Sequence, residues 1–358
     1  MNKKVFEIGS EYDWESNTSF LVKENDFFFN VKKQNIRFLR SGRDAIRYVA
    51  RLCKDKCKTA LMPALMCACV PQQFVEEGYQ VTYYKVNKDF TADIEDIKGK
   101  ISSDTIFFYM NYFGMPFISD KQLTEIRSGY SNLIFVEDIT HDFLKRRTEC
   151  FVSDFTVCSI RKWFAIPDGG MVIGKEKLDL IPVEKNDYFA ELRKNAMKQK
   201  NVYFNTGMIS DKDAYRTTLA NANEYIDHID NIAEMQEESI KILEQIDLKK
   251  IYELRVRNVK ILERGIRTID KIETLVPRCE DSTLYYPIHV KNSQKVIQKK
   301  MAERAFYLPV IWPVPQDAEG ICGVADEVAD SMLAVPCDHR YTVDDMEKII
   351  EALKECVQ

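Results

Sequence analysis

Four apolar runs decide the architecture: DTIFFYM (104–110), NLIFVED (132–138), DFTVCSI (154–160) and GGMVIG (169–174). Each is short, apolar and bounded by turn-forming residues, as buried strands are. Between the first two lies a helical pattern, SDKQLTEIRSGY (119–130), with Ser119 or Asp120 as its N-cap. The same alternation extends backwards. SGRDAIRYVARLC (41–53) predicts a helix with Ile46, Val49, Ala50 and Cys53 on one stripe, and TALMPAL (59–65) a strand stopped by Pro63. A helix from about Ala68 to Glu77 ends at Gly78; QVTYYKV (80–86) is a strand and ADIEDIKGKI (92–101) a helix. Strand and helix in regular alternation specify a parallel sheet covered on both faces. The expected fold class is therefore α/β: a three-layer, mainly parallel sheet in a large domain, followed by a smaller C-terminal α+β domain.

Working outward, residues 1–37 read as an N-terminal arm with an aromatic cluster at Phe27, Phe28 and Phe29. Residues 38–245 form the large domain with a helical extension, and 246–358 the small one. Within the extension, AYRTTLANANEYIDHIDNIAEMQEESIKILEQI (214–246) reads as a solvated helical bridge, charged around an apolar stripe. Beyond it come a strand at TLYYPIHV (283–290), a helix at SQKVIQKKMAERA (293–305), the segment LPVIWPVP (308–315) and a closing helix at TVDDMEKIIEALKEC (342–356).

The 358 residues, 45% apolar and 30% charged, are ordinary for a globular chain of two domains. A net charge of -5 argues against a nucleic-acid partner. No stretch approaches the roughly 20 apolar residues of a membrane span, and the opening residues carry no signal-peptide core, so a cytoplasmic location is expected. The ten cysteines include Cys53 and Cys57, one helical turn apart, and Cys67 and Cys69. Their spacing lacks the CxxC pairs and nearby His of zinc sites, so reduced thiols are expected and no metal.

Ligands of such sheets sit beyond the carboxyl ends of the strands. Three segments fall there. In VEDITHDF (136–143), Glu137 and Asp138 end a strand and His141 follows; a carboxylate so placed either faces a protonated ligand nitrogen or simply caps a helix. In SIRKWFAIPDGG (159–170), Lys162 follows a strand beside Trp163 and Phe164. In a buried cleft its ammonium form would be disfavoured, as an attacking amine requires; the alternative is a surface Lys-Arg pair. Gly169 and Gly170 permit close backbone approach. In SGRDAI (41–46), Ser41 and Gly42 open a helix whose amides can cradle phosphate, or merely cap it. Phosphate cradle, acid, lysine and Gly-Gly, in that order in one sheet, match the needs of pyridoxal 5'-phosphate (PLP).

From about residue 38 to 356 the sequence resembles the DegT/StrS family of PLP-dependent aminotransferases of the aspartate-aminotransferase fold, many of which act on nucleotide-linked sugars. VEDITHDF is similar to the family's strand-ending Glu-Asp segment. This implies Asp138 against the pyridine nitrogen and His141 near the ring's phenolic oxygen. KWFAIPDGG matches the spacing from the Schiff-base lysine to Gly-Gly, implying that role for Lys162. SGRDAI corresponds to the family's Ser-Gly-Thr turn, implying phosphate contacts from Gly42 and Arg43. NYFG (111–114) and LAVPCDHRYTVDDMEKIIEAL (333–353) resemble the turn after the third strand and the closing segment. Val157 stands where the family has a phosphate-binding serine, with Ser159 the nearest substitute, and Met66 and Cys67 stand where an aromatic would stack on the ring.

The resemblance implies transfer of an amino group from an amino acid to a keto-sugar or similar carbonyl compound, by a homodimer. A PLP-dependent lyase or dehydratase, and a non-catalytic scaffold retaining the fold, are the competing readings; the retained Lys162 favours transamination over dehydration. Of the remaining candidates, His228 reads as solvated, His289 as a satisfied core group and His339 as a possible cleft residue. Arg161 either contacts a ligand or points away.

Overall fold

The computed structural model describes residues 5–23, 31–130, 132–146, 152–179, 181–275, 281–290 and 294–357. The aromatic cluster Phe27–Phe29 lies outside them. The first half alternates as its apolar pattern predicts: β1 (Ile36–Leu39), α1 (Gly42–Cys53), β2 (Thr59–Pro63), α2 (Cys69–Glu76), β3 (Gln80–Tyr84), α3 (Ile94–Lys100), β4 (Thr105–Met110), α4 (Asp120–Ser128), β5 (Ile134–Asp138), α5 (Phe143–Arg146), β6 (Phe155–Cys158) and β7 (Gly170–Gly174). The helix starts follow from capping chemistry. The Ser41 hydroxyl accepts from the Asp44 amide at 3.2 Å, and Ser119 and Gln122 form a reciprocal capping box on α4.

These strands form one seven-stranded sheet in the order β1-β7-β6-β5-β4-β2-β3. The pairs β2/β3, β2/β4, β4/β5 and β5/β6 are parallel; β6/β7 and β7/β1 are antiparallel. Every residue of β4 and β7 is buried, as strands covered on both faces must be. The edge strand β1 was not expected: it starts at Ile36, inside the segment read as an arm. Only Leu39 of it is fully buried, so it carries no strong apolar run.

The second half comprises α6 (Tyr188–Thr206), α7 (Ile209–Asp227), α8 (Glu237–Leu243), α9 (Leu248–Ile266), β8 (Glu273–Thr274), β9 (Tyr285–His289), α10 (Gln294–Glu303), α11 (Gly323–Ser331), β10 (Met332–Pro336) and α12 (Val343–Val357). The strands make a second sheet, ordered β10-β9-β8 and antiparallel throughout. The chain turns at Gly207, in the left-handed region at φ 73°, and α6 and α7 pack against each other. The reading of 214–246 as a solvated helical bridge is corrected beyond His228, where α7 has ended: Ile232, Ala233 and Met235 are buried and Glu234 bridges to Leu39 of β1. His228 itself is exposed, as expected.

The segment 8–21 ties both halves together. Ile8 bridges Phe306, the Gly9 amide donates to the Tyr341 hydroxyl at 2.8 Å, and the Asn17 side chain donates to the Ala165 carbonyl at 3.0 Å.

Candidate active site

The parallel register places residues in rows across the strands. Met110 pairs with Asp138, and Asp138 with Val157. All three therefore point to one side at the carboxyl ends of β4, β5 and β6, and all three line one cavity of about 230 Å³. Their neighbours one position back point the other way: Glu137 is buried, accepting from Arg146 at 2.8 Å through both oxygens. Alternation along the strand thus settles which acid faces the cavity. It is Asp138.

Gly42, Arg43, Met66, Cys67, Ser159 and Lys162 line this cavity as well. They arrive in pairs from three places: the start of α1, the loop after β2 and the segment after β6. Gly42 and Arg43 are the first residues of α1, where backbone amides have no intrahelical acceptor. Arg43 is also ion-paired with Asp227 at the end of α7. A Cβ on Gly42 would lie 2.8 Å from the Ser159 Cβ, so only glycine lets the helix start meet the loop that carries Lys162. Thr140 joins the two strand ends: its hydroxyl accepts from the Ser159 amide at 2.9 Å and its carbonyl from the Trp163 indole at 2.8 Å.

The expectation of a desolvated lysine is corrected. Lys162 ends a single 3-10 turn, Ile160–Lys162, and is exposed. That turn sends Trp163 and Phe164 to the opposite side, where both are fully buried. The Lys162 ammonium therefore opens into the cavity, with no acid within ion-pair distance among the described residues.

His141 is the one expected site residue that does not line the cavity. It lies behind Trp312, stacked on that ring at 5.0 Å and 24°, and its Nδ1 accepts from the Phe113 amide at 3.3 Å. Burial, with the charge of Lys162, pushes its pKa down to about 3, so it is neutral. With Nδ1 accepting, the ring proton sits on Nε2. Between pH 6.5 and about 3 the unfolded chain takes up a proton here that the folded chain does not. Stability contributed by neutral His141 is thus complete above 6.5 and falls by about 1.4 kcal/mol per pH unit as pH drops. A His141→Gln variant should show a correspondingly shallower loss of unfolding free energy between pH 6 and 4 in urea titrations.

Trp312, Thr140 and Ile226 also line the cavity and were not singled out in the sequence. Trp312 gives the cavity an aromatic wall. The signal available was a tryptophan between two prolines in LPVIWPVP, an odd place for a large apolar side chain.

Of the other candidates, Arg161 faces the ligand space rather than pointing away: it lines this cavity and a second, larger one of about 630 Å³. His289 is buried, bonded through Nδ1 to the Ser331 hydroxyl at 2.7 Å, with Nε2 unpartnered. His339 lines neither cavity; it is buried, stacked on Tyr12 at 5.9 Å with an edge contact to Phe20.

The larger cavity shares Arg161 and Lys162 with the smaller one. Its wall is strongly cationic. Arg161, Lys162, Arg216, Lys295 and Lys299 have no ion-pair partner among the described residues. The two lining acids are both engaged: Asp338 accepts from Arg340 at 2.7 and 2.8 Å, and Glu11 from Arg193 at 3.0 Å.

The arrangement was compared with known proteins. No family model matches the chain, and no curated protein matches it significantly. Solved structures do match over its whole length. A protein of Streptococcus pneumoniae described as a sugar aminotransferase, in its PMP form, superposes with a TM-score of 0.68 at 13% identity, covering 99% of this chain and 98% of that one. This is the sugar-aminotransferase fold. The Helicobacter pylori aminotransferase PseC, involved in pseudoaminic acid biosynthesis, shares it at a TM-score of 0.67 and 14% identity, covering 100% of this chain and 99% of that chain. The aminotransferase TlmJ of Streptoalloteichus hindustanus shares it at 0.66 and 14%, covering 99% and 98%. In open α/β sheets generally, ligand-facing residues fall at the carboxyl ends of the strands, here those of β4 to β6.

The donor set suits PLP. It comprises a cavity-facing acid, an exposed primary amine, the open amides of a helix start, Ser159 and Arg43, and an aromatic wall. Burial raises the pKa of Asp138, opposed by its bond from Thr140 and by Lys162. A positively charged ring nitrogen beside it would offset that cost.

Proposed function

We propose that the chain is a DegT/StrS-type, PLP-dependent aminotransferase that moves an amino group from an amino acid to a carbonyl compound carrying an anionic group, a nucleotide-linked keto-sugar being the class that fits best. The observation that carries this reading is Lys162 and Asp138 facing one cavity from the ends of β5 and β6. Asp138, Gly42, Arg43, Ser159 and Lys162 would hold the cofactor. When bound, PLP supplies an aldehyde for amines and an electron-withdrawing ring. The negative charge of Asp138 would keep a proton on the ring nitrogen. Lys162 is the amine that would hold the aldehyde, and its Nζ would carry a proton to and from the substrate carbon. The unpaired cations of the larger cavity support the anionic acceptor, since a clustered positive wall draws and orients phosphate groups.

The test is spectral. Purified protein with added PLP should acquire a visible absorption band that borohydride bleaches. Glutamate or glutamine should then convert it to the spectrum of pyridoxamine phosphate, and a keto-sugar nucleotide should restore it. Colourless protein that takes up no PLP would leave the scaffold reading, and loss of the band without pyridoxamine formation the lyase reading.

A further inference from the structure

Six of the described cysteines, Cys53, Cys57, Cys158, Cys322, Cys337 and Cys356, are buried; Cys67 and Cys69 are the two that are partly exposed. Both line the smaller cavity, and their sulfurs lie 2.9 Å apart. The site reading uses neither thiol for chemistry. Arg43 and Lys162 share the same wall.

We propose that Cys67 and Cys69 form an oxidisable dithiol in the wall of this cavity, which hydrogen peroxide converts to an intramolecular disulfide beside Arg43 and Lys162. The two sulfurs lie within hydrogen-bond distance of each other. The hydrogen bond from Cys69, then the charges of Lys162 and Arg43, lower the Cys67 pKa against its burial, while the same contact and burial raise that of Cys69. Cys67 is thus the attacking thiolate and Cys69 the resolving thiol, the pairing that redox-active cysteines use.

The steps balance. The Cys67 Sγ thiolate attacks one peroxide oxygen, the O–O bond breaks, and hydroxide leaves and takes up the proton that Cys67 had released. Cys69 Sγ then attacks the sulfenic sulfur, the S–O bond breaks, and the hydroxyl leaves with the Cys69 proton as water. Two thiols lose two electrons and two protons, and peroxide becomes two waters. Nothing in this sequence requires the cofactor.

The experiment uses the full, reduced, PLP-free chain treated with hydrogen peroxide, then unfolded, alkylated and mapped by peptide mass. The peptide carrying Cys67 and Cys69 should lose two hydrogens and resist alkylation, reversibly with dithiothreitol. It should do so about tenfold or more faster than peptides carrying the buried cysteines are oxidised. In Cys69→Ser the reaction should stop at a Cys67 sulfenic acid that dimedone traps; in Cys67→Ser neither product should form. Both variants should keep the wild-type circular-dichroism spectrum. Full alkylation of both thiols after treatment, a Cys67 sulfinic acid with Cys69 still free, or a disulfide from Cys67 to another cysteine would each overturn the proposal.

Discussion

Replacing Lys162 by alanine should lower amino-transfer turnover by about 10⁴-fold or more, the upper range for losing a proton-transferring group, while leaving the fold untouched. The argument rests on its setting. Lys162 is exposed and ends a short turn whose other residues do the structural work: Ile160 and Trp163 are buried, and the Trp163 indole is bonded to Thr140. An exposed side chain of this kind contributes within about 0.5 kcal/mol to stability. Urea unfolding should therefore superpose on the wild type, and single-turnover measurements should show the loss in the chemical step. Lys162→Arg, which keeps a cation at the same place, should be equally inactive. Activity within tenfold of wild type in either variant, or borohydride fixing PLP to the alanine variant, would mean another amine does the work.

The second large effect is structural. A Cβ on Gly170 would fall 1.9 Å from the Ser41 carbonyl oxygen and 2.7 Å from the Gly42 nitrogen. These are backbone atoms, pinned by the first turn of α1, so no rotamer change relieves the clash. Gly170→Ala should cost about 3 kcal/mol or more in unfolding free energy. It should also weaken PLP binding, because the displaced turn is the one offering the Gly42 and Arg43 amides. Gly169→Ala is the informative contrast. Gly169 has φ 147°, a conformation that strains any side chain, but its nearest non-backbone neighbours are the ends of Met235 and Ile166 at 3.1 and 3.2 Å, which can move. Equal stability of Gly170→Ala and wild type in urea titrations would contradict the close approach.

How much of this was legible in advance follows from the range of the forces involved. The central strands were readable because burial on both faces forces continuous apolar runs, and the meeting of Asp138 and Lys162 at one cavity because both lie at strand ends of the same sheet. Caps such as Ser119 are local chemistry and were found. What escaped reading is set by non-local packing. β1 becomes a strand only by pairing with β7, where Phe38 meets Met171 from 133 positions later. Trp312 and Ile226 reach the cavity from distant segments; the prolines around Trp312 mark it as unusual but do not say what it faces, and nothing near Ile226 announces it. The exposure of Lys162 was missed because adjacency to Trp163 suggested a shared environment, whereas a 3-10 turn rotates successive side chains apart.

The tie between segment 8–21 and the far end of the chain bears on biogenesis. Gly9, Ser10, Glu11 and Tyr12 form part of the larger cavity, yet the Gly9 amide is held by Tyr341 and the Ser10 and Glu11 carbonyls by Arg340. On the ribosome these residues are made about 330 positions before the side chains that anchor them. The large α/β sheet can assemble while synthesis continues, but the wall of the larger cavity is completed only once Arg340 and Tyr341 are in place, by contacts of long sequence separation and hence slow to close.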